Sequence, residues 1–495
     1  MHHALFFNVH KLNLRRPTGP YRIASFLREH EWDTEVIEYA CEFTLEELKE
    51  LTKARVTSKT VFIGFSSFFS YWEDKIDQYI EWVKITYPTI AIIVGGQSKP
   101  RIKTTLVDYY IHGYAEYAIL ELVKYIIGTS GVKIAFDPAF FGSKKVISAN
   151  QTYPAYPMKS LRIKYEERDD LQPWEWLTTE FARGCRFKCA FCNYPILGVK
   201  TDHSRDAEDF ELELRDNYDR WGIKNYYVAD ETFNDTTEKI VKFAEVVDRN
   251  NIDPIFSGFI RADVMISRKQ DWDPLARLGF FGHYYGIETM NPVTAKLIKK
   301  GMAPEKIQQG LIDIKKYFSE RGPYRGSLGL ILGLPEEDKE SIARSLKWVE
   351  ENWQGESIHL WPLEIPLDPV QDVLSTISQD YKKYGYWEDT TSNRTMEEEI
   401  NTNPSDTRVR HGITNLNWAN KHMTYTEACN MADEWFLNIK RKKLFFGIPM
   451  NMFGEYTYPN KSLKQVLKVT HYAEDINFNQ FLPRIQEYKH KKLSL

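Results

Sequence analysis

Apolar segments of strand length alternate with helical patterns along most of this chain. That alternation leaves little besides an α/β architecture built on parallel sheets. The segments "ALFFNV" (4–9), "TEVIEY" (34–39), "TVFIGFS" (60–66), "IAIIV" (90–94) and "YYIH" (109–112) predict five strands. Stretches such as "PYRIASFLREH" and "WEDKIDQYIEWVKITY" predict the helices between them. This is the pattern of a doubly wound sheet over residues 1–130, and ligands of such sheets sit at the carboxyl ends of the strands. The turns there hold Ser66 and Ser67, then Gly95, Gly96 and Gln97, then the "GYAE" run from Gly113 to Glu116.

Residues 131–173 lack periodicity, contain "YPAYP" and "ERDDLQP", and predict a surface linker. A second alternating series follows, with strands near 177–182, 224–229, 255–260, 282–287, 326–332 and 357–364. Helical patterns such as "TEKIVKFAEVVDRN" and "KESIARSLKWVEEN" separate them. Six βα units over 174–366 predict a partial, TIM-like (β/α)6 barrel and fall short of a closed eight-stranded one. Residues 367–495 predict a mostly helical C-terminal domain rich in aromatics, among them Trp387, Trp418, Trp435, Phe436, Phe445 and Phe446.

With 495 residues, 42% hydrophobic and 27% charged, the chain can build more than one core. A formal net charge of -4 argues against nucleic acid as an obligatory partner. No segment approaches the roughly 20 apolar residues of a membrane helix. Three of the five cysteines crowd into "FARGCRFKCAFCNYP" (181–195), which is no disulfide framework for so large a chain. The expected setting is a reducing, cytoplasmic compartment.

Cys185, Cys189 and Cys192 stand at C-x3-C-x2-C spacing just past the first barrel strand, where βα loops build active sites. The residues alone leave two metal readings open. A structural zinc site needs four ligands, and His203 is the nearest candidate for the fourth. An iron–sulfur cubane with only three cysteines leaves one iron open to an external ligand. Arg183, Arg186 and Lys188 flank the thiols, as partners of an anionic cluster or as a solvated basic loop.

This triplet resembles the signature of the radical S-adenosylmethionine (SAM) superfamily. The resemblance implies that the three cysteines hold a [4Fe-4S] cluster whose open iron binds SAM. It further implies that reductive cleavage of SAM yields a 5'-deoxyadenosyl radical. Phe191 matches the family's aromatic between the last two cysteines and would lie by the adenine. "YYVADETFN" (226–234) resembles the acidic segment after the second strand, with Asp230 or Glu231 placed to meet the SAM ammonium. "SGFIRAD" (257–263) offers Arg261 to the SAM carboxylate. "GIETMNPVTAKLIKKG" (286–301) makes Glu288 a candidate for the SAM ribose or substrate. "GLILGLPEED" (329–338) resembles "GxIxGLPGET", which would pack the backbone at Gly333 along adenine, with Glu336 in place of the usual glycine.

A Rossmann-like domain ahead of such a barrel resembles the cobalamin-binding subclass of that superfamily. "RRPTGPYRIASFLREHEWDTEVIEY" resembles that subclass's opening, which makes Thr18 a candidate. Ser66, Ser67, Gly95, Gly96, Gln97, Gly113 and Glu116 complete the candidate cobalamin set, with Ala115 replacing a glycine of the subclass's "GeGE" turn. No D-x-H-x-x-G sequence supplies a histidine to cobalt, and many radical SAM members lack it too.

The activity implied is cobalamin-dependent methylation of an unactivated carbon of a small molecule, with an electron donor such as flavodoxin or ferredoxin. Other radical rearrangement, cyclisation, oxidation or epimerisation, with a first domain that binds no cobalamin, is the alternative. A non-catalytic, zinc-stabilised binding protein is the alternative of another class. Cys429 is a candidate catalytic thiol, and Cys41 a weaker one; both also read as small buried hydrophobes.

Overall fold

The structure is a computed structural model. It describes residues 1–9, 15–67, 74–96, 105–129, 131, 133–137, 145–154, 156–193, 203–367, 374–390, 409–410, 413–439, 441–446 and 478–494. The chain divides into two compact units. One comprises Met1–Glu175, Asp219–Gly222 and Phe478–Leu495, and the other Trp176–Tyr218 and Ile223–Asn477. No described helix is long and apolar enough to cross a membrane.

The first unit is built on β1 (His2–Val9), β2 (Trp32–Ile37), β3 (Thr60–Ser67), β4 (Ala91–Gly96), β5 (Tyr109–His112) and β6 (Lys145–Ser148). All pairs are parallel, in the order β2-β1-β3-β4-β5-β6. The order reverses between β1 and β3, which places the switch point of this doubly wound sheet at their carboxyl ends. β1 is buried from Ala4 to Val9, as a strand covered on both faces must be.

Helices α1 (Thr18–Arg28), α2 (Leu45–Arg55), α3 (Asp74–Thr86) and α4 (Glu116–Ile126) make the crossovers. α2 begins at a capping box in which Thr44 and Glu47 satisfy each other's backbone N–H groups. A buried network fixes the chain entering α1. Arg16 donates to Glu175 and Tyr21 at 2.7 Å, and Tyr21 donates to Glu38 at 2.6 Å.

β6 lies in the stretch read as a linker. Its four residues "KVIS" are too few to show a period, and only pairing with β5 reveals the strand. The C-terminal helix Phe478–Ser494 belongs to this unit as well. Tyr488 Oη accepts the Glu38 N–H at 2.9 Å, and Lys492 forms a buried ion pair with Glu35 at 2.9 Å. Residues 367–495 therefore divide between the two units.

The second unit carries six parallel strands, β7 (Trp176–Thr179), β8 (Asn225–Val228), β9 (Ile255–Ile260), β10 (Phe280–Glu288), β11 (Arg325–Leu332) and β12 (Ser357–Pro362), in sequential order. Phe445–Phe446 pairs with the start of β12 and extends this half-barrel by two residues. The crossover helices are amphipathic and capped. In Thr237–Asn250, Ile240, Phe243, Ala244 and Val247 recur at helical spacing and are buried, and Thr236 caps the Lys239 N–H. Pro292 and Pro304 open two other helices, where their missing N–H costs nothing.

Candidate active site

β7 ends at Thr179, and the following loop carries Cys185, Cys189 and Cys192, all half-buried and joined in no disulfide. Residues just past β8 anchor its entry. One Asp230 carboxylate oxygen accepts the N–H groups of Phe181 at 2.7 Å and Ala182 at 3.0 Å; the other faces Lys239 Nζ at 3.3 Å. Glu231 accepts the Gly184 N–H at 2.8 Å, and Gly184 turns the chain at φ +83°. On the exit side, the Ala190 N–H meets the Ile298 carbonyl at 3.1 Å, and Asn193 accepts the Ser375 N–H at 2.8 Å. Burial pushes the Asp230 carboxyl up to about 6, against the pull of Lys239, and pushes Glu231 up to about 7.

Arg261 follows β9 and turns toward the same loop. Its Nη1 lies 3.3 Å from Cys189 Sγ, its Nε donates to Asp263 at 2.8 Å, and its guanidinium covers the Phe187 ring at 4.0 Å. Asn234 pins the Arg261 backbone from both sides, accepting its N–H at 2.8 Å and donating to its carbonyl at 3.0 Å. Asp230 and Arg261 thus have protein partners at the positions expected to meet SAM. Asn234 and Phe187 are functional neighbours that the spacing argument missed, although both lie inside its motifs.

Glu288 closes β10 at φ +65°, with its carboxylate 3.4 Å from Lys300 Nζ; burial raises it and Lys300 opposes that. A Cβ at Gly286 would stand 2.5 Å from that carboxylate, so the glycine makes its room. Gly333 sits at φ +82° against Trp418, and its carbonyl accepts the Tyr386 hydroxyl at 2.7 Å. Glu336 adopts φ +62°, the left-handed conformation for which a glycine is the ordinary choice.

Glu337 beside it is buried, pushed up to about 8 by that burial, and bonded by the Thr289 hydroxyl at 2.6 Å. The folded state therefore holds this proton, and the stability it contributes below about 4.5 is lost as pH rises through about 8. Calorimetric melting of Glu337→Gln at acidic and alkaline pH should show a flatter loss of stability than the parent. An equal slope in both would show that Glu337 does not carry the effect.

The basic flank is largely neutralised: Arg183 pairs with Glu180 at 2.9 Å and Arg186 with Asp235 at 3.2 Å, while Lys188 is exposed. His203 Nε2 lies 4.0 Å from Asp235. Among the described residues no group of three or more His, Cys, Asp or Glu side chains converges to hold one metal ion, so His203 does not join the thiols. A zinc ion needs its ligands at a single centre. A cubane takes each cysteine at a different iron, so its ligands stay spread. The half-buried thiols, with a guanidinium against one sulfur, fit a cluster better. A cleft of about 740 Å³ runs beside the loop, lined by Arg186, Phe187, Asp235, Asp263, Arg268 and Lys306.

In the first unit, Ser66 pairs in register with Gly95, and Gly96 one position further on pairs with His112, so these candidates lie together at the strand ends. Thr18 opens α1, and a Cβ on neighbouring Gly19 would meet Ser66 Oγ at 3.6 Å. A Cβ at Gly95 would meet nothing nearer than 3.9 Å, which leaves room for a ligand to approach. Gly113 follows β5 at φ +95°. Ser67 ends β3, and Gln97 lies outside the described residues. Glu116 is turned into the fold, paired with Arg22 at 3.3 Å. Cys429 (1% exposed) and Cys41 (5%) are buried.

Residues 179–349 match the family model of the radical SAM superfamily, and the half-barrel is a radical SAM domain. That family works with a [4Fe-4S] cluster and SAM. Its nearer likenesses are spread over several proteins. Anaerobic magnesium-protoporphyrin IX monomethyl ester cyclase of Synechocystis sp. is 25% identical over 231 residues, 43% of this chain and 45% of that protein. An uncharacterized methyltransferase of Pyrococcus horikoshii is 23% identical over 170 residues, 34% of this chain and 35% of its own length. The chain spans less than half the length of these curated relatives.

Among solved structures, the radical SAM methyltransferase TsrM of Kitasatospora setae, with tryptophan and a SAM analogue bound, shares the fold. The match has a TM-score of 0.65 over 97% of this chain and 99% of that one, at 13% identity. The cobalamin-dependent radical SAM enzyme OxsB does so at TM-score 0.56 and 17% identity, over 78% of this chain and 56% of that one.

Proposed function

We propose that the chain is a cobalamin-dependent radical SAM methyltransferase acting on an unactivated carbon. One observation carries the reading: the fold likeness to TsrM runs through both units, 97% of the chain, instead of stopping at the barrel. The pairing of Ser66 with Gly95 at the strand ends, with room over Gly95, supports it from the first unit. When bound, the cluster with SAM supplies a primary carbon radical that removes hydrogen atoms, and cobalamin supplies a methyl group.

The chain's own residues hold and orient. Cys185, Cys189 and Cys192 would ligate three irons, while Asp230 and Glu231 fix the backbone that presents them. Arg261 places a positive charge against one ligating sulfur. Glu288 and Lys300 form a half-buried polar pair at the end of β10, placed to meet SAM or substrate. In the first unit Thr18, Ser66, Gly95, Gly96 and Gly113 would cradle the corrin and its tail, with no histidine motif for cobalt.

The similarity to a cyclase favours a second reading, radical ring formation without methyl transfer. Anaerobic, cluster-reconstituted protein supplied with hydroxocobalamin separates the two. The visible spectrum should keep corrin bands through desalting, and reduction with SAM should yield both 5'-deoxyadenosine and S-adenosylhomocysteine. Deoxyadenosine alone, with no corrin retained, would transfer the enzyme to the second reading. A protein that takes up zinc and little iron would defeat both.

A further inference from the structure

Strands β9 to β12 present two faces of different character. Tyr285, Leu328 and Leu360 are fully buried, and the Tyr285 ring lies 6.3 Å from that of Trp353 at the end of a crossover helix. That face is closed by helices. On the other face Phe259, Tyr284, His359 and Trp361 are half-buried, and their rings run in a row. Centroids are 4.8 Å apart for Phe259–Tyr284, 5.6 Å for Tyr284–His359 and 5.2 Å for His359–Trp361, all edge to face.

Tyr284 and His359 do not stand on neighbouring strands, since β11 runs between them. A side chain crosses a strand only where that strand has no side chain to block it, and Gly329 is the gap. A Cβ there would stand 2.8 Å from Tyr284 Oη. Through the gap the hydroxyl reaches His359 Nδ1 at 3.2 Å. Gly286 lies in register with Gly329 on β10, so two adjacent positions of the wall carry no side chain. The Tyr284 side chain fills the gap at Gly329 and the Glu288 carboxylate that at Gly286, so the result is an aromatic surface with one hydroxyl–imidazole pair set into it and a carboxylate at its edge.

We propose that this wall binds the substrate, and that the substrate is a planar, conjugated ring system with a hydrogen-bonding group at its edge. Flat rings gain most from such a surface, by stacking or edge-to-face contact. The Tyr284–His359 pair favours an edge donor or acceptor, because a hydroxyl and an imidazole each have more than one hydrogen-bonding position and can meet such a group while bonded to each other. The inference rests on the radical reading for the barrel, and names the kind of molecule that reading requires.

Equilibrium dialysis of the reconstituted full-length protein against indole, its isostere benzothiophene, and decanoate tests it. Indole should bind at least about tenfold more tightly than either comparison compound, the size of one edge hydrogen bond. Tyr284→Phe should erase the preference over benzothiophene, and Trp361→Leu should weaken both flat probes. Melting temperature and iron content report whether each variant has folded. Failure of indole to bind, equal binding of decanoate, or an unchanged preference in Tyr284→Phe would each overturn the proposal. Selective indole binding by a protein that cleaves no SAM would keep it and remove the radical reading instead.

Discussion

Cys189→Ser should leave a folded protein that binds little iron and forms no 5'-deoxyadenosine above background. The loss should reach several orders of magnitude, because a site with two thiolates no longer holds three corners of a cubane. Folding should survive. The loop is held mainly by Asp230, Glu231 and backbone pairing at Ala190, none of which uses the thiol. Iron content, the visible spectrum and product formation measured on the same sample check this. Cys429→Ser is the internal control, since that thiol is buried within the helix Tyr425–Leu437 and should leave iron content unchanged. Full iron in Cys189→Ser, or iron loss in Cys429→Ser, would reassign the cluster ligands.

The second large effect is expected at Asp230. Alanine there removes the acceptor of two buried N–H groups at the entry to the cysteine loop. Each orphaned group costs about 1–3 kcal/mol, so Asp230→Ala should lose about 2–6 kcal/mol relative to Asp230→Asn, which keeps an acceptor oxygen. Iron occupancy should fall with it, as the loop loosens.

The pH dependence has a definite sign. The folded carboxyl titrates at about 6 against an ordinary 3.8, so its contribution is present below about 3.8 and lost as pH rises through about 6. Asp230→Asn removes that loss, so its stability relative to the parent should improve above pH 6. Denaturant unfolding of the three proteins on both sides of pH 6 measures the difference. If alanine and asparagine melt alike, Asp230 is not the anchor of the loop.

What could be read directly from the chain follows from which signals are local. β1, β3 and β4 are apolar runs covered on both faces, so each announces itself within a few residues. The cysteine loop is legible because metal chemistry fixes both residue type and spacing. β6 was not legible, since four residues have no period and its evidence is the neighbouring strand. Nor was the turning of Glu116 toward Arg22, a partner 94 residues away. Asn234 and Phe187 sat inside recognised motifs, yet their tasks depend on where Arg261 comes to lie. The preference for glycine at position 336 was visible as a pattern, and the φ of Glu336 supplies the cause.

The helix Phe478–Ser494 carries a consequence for how the molecule is made. It supplies Tyr488 and Lys492 to a unit whose other parts are almost all within the first 175 residues. A ribosome delivers the whole second unit before that helix emerges. Until that helix is made, the buried Glu35 therefore lacks its lysine, and the Glu38 N–H lacks its tyrosine. The second unit can fold while translation continues; the first reaches its finished form only after Phe478–Ser494 has been made. Whatever binds at the strand ends of the first unit would then meet its finished site later than a ligand of the half-barrel does.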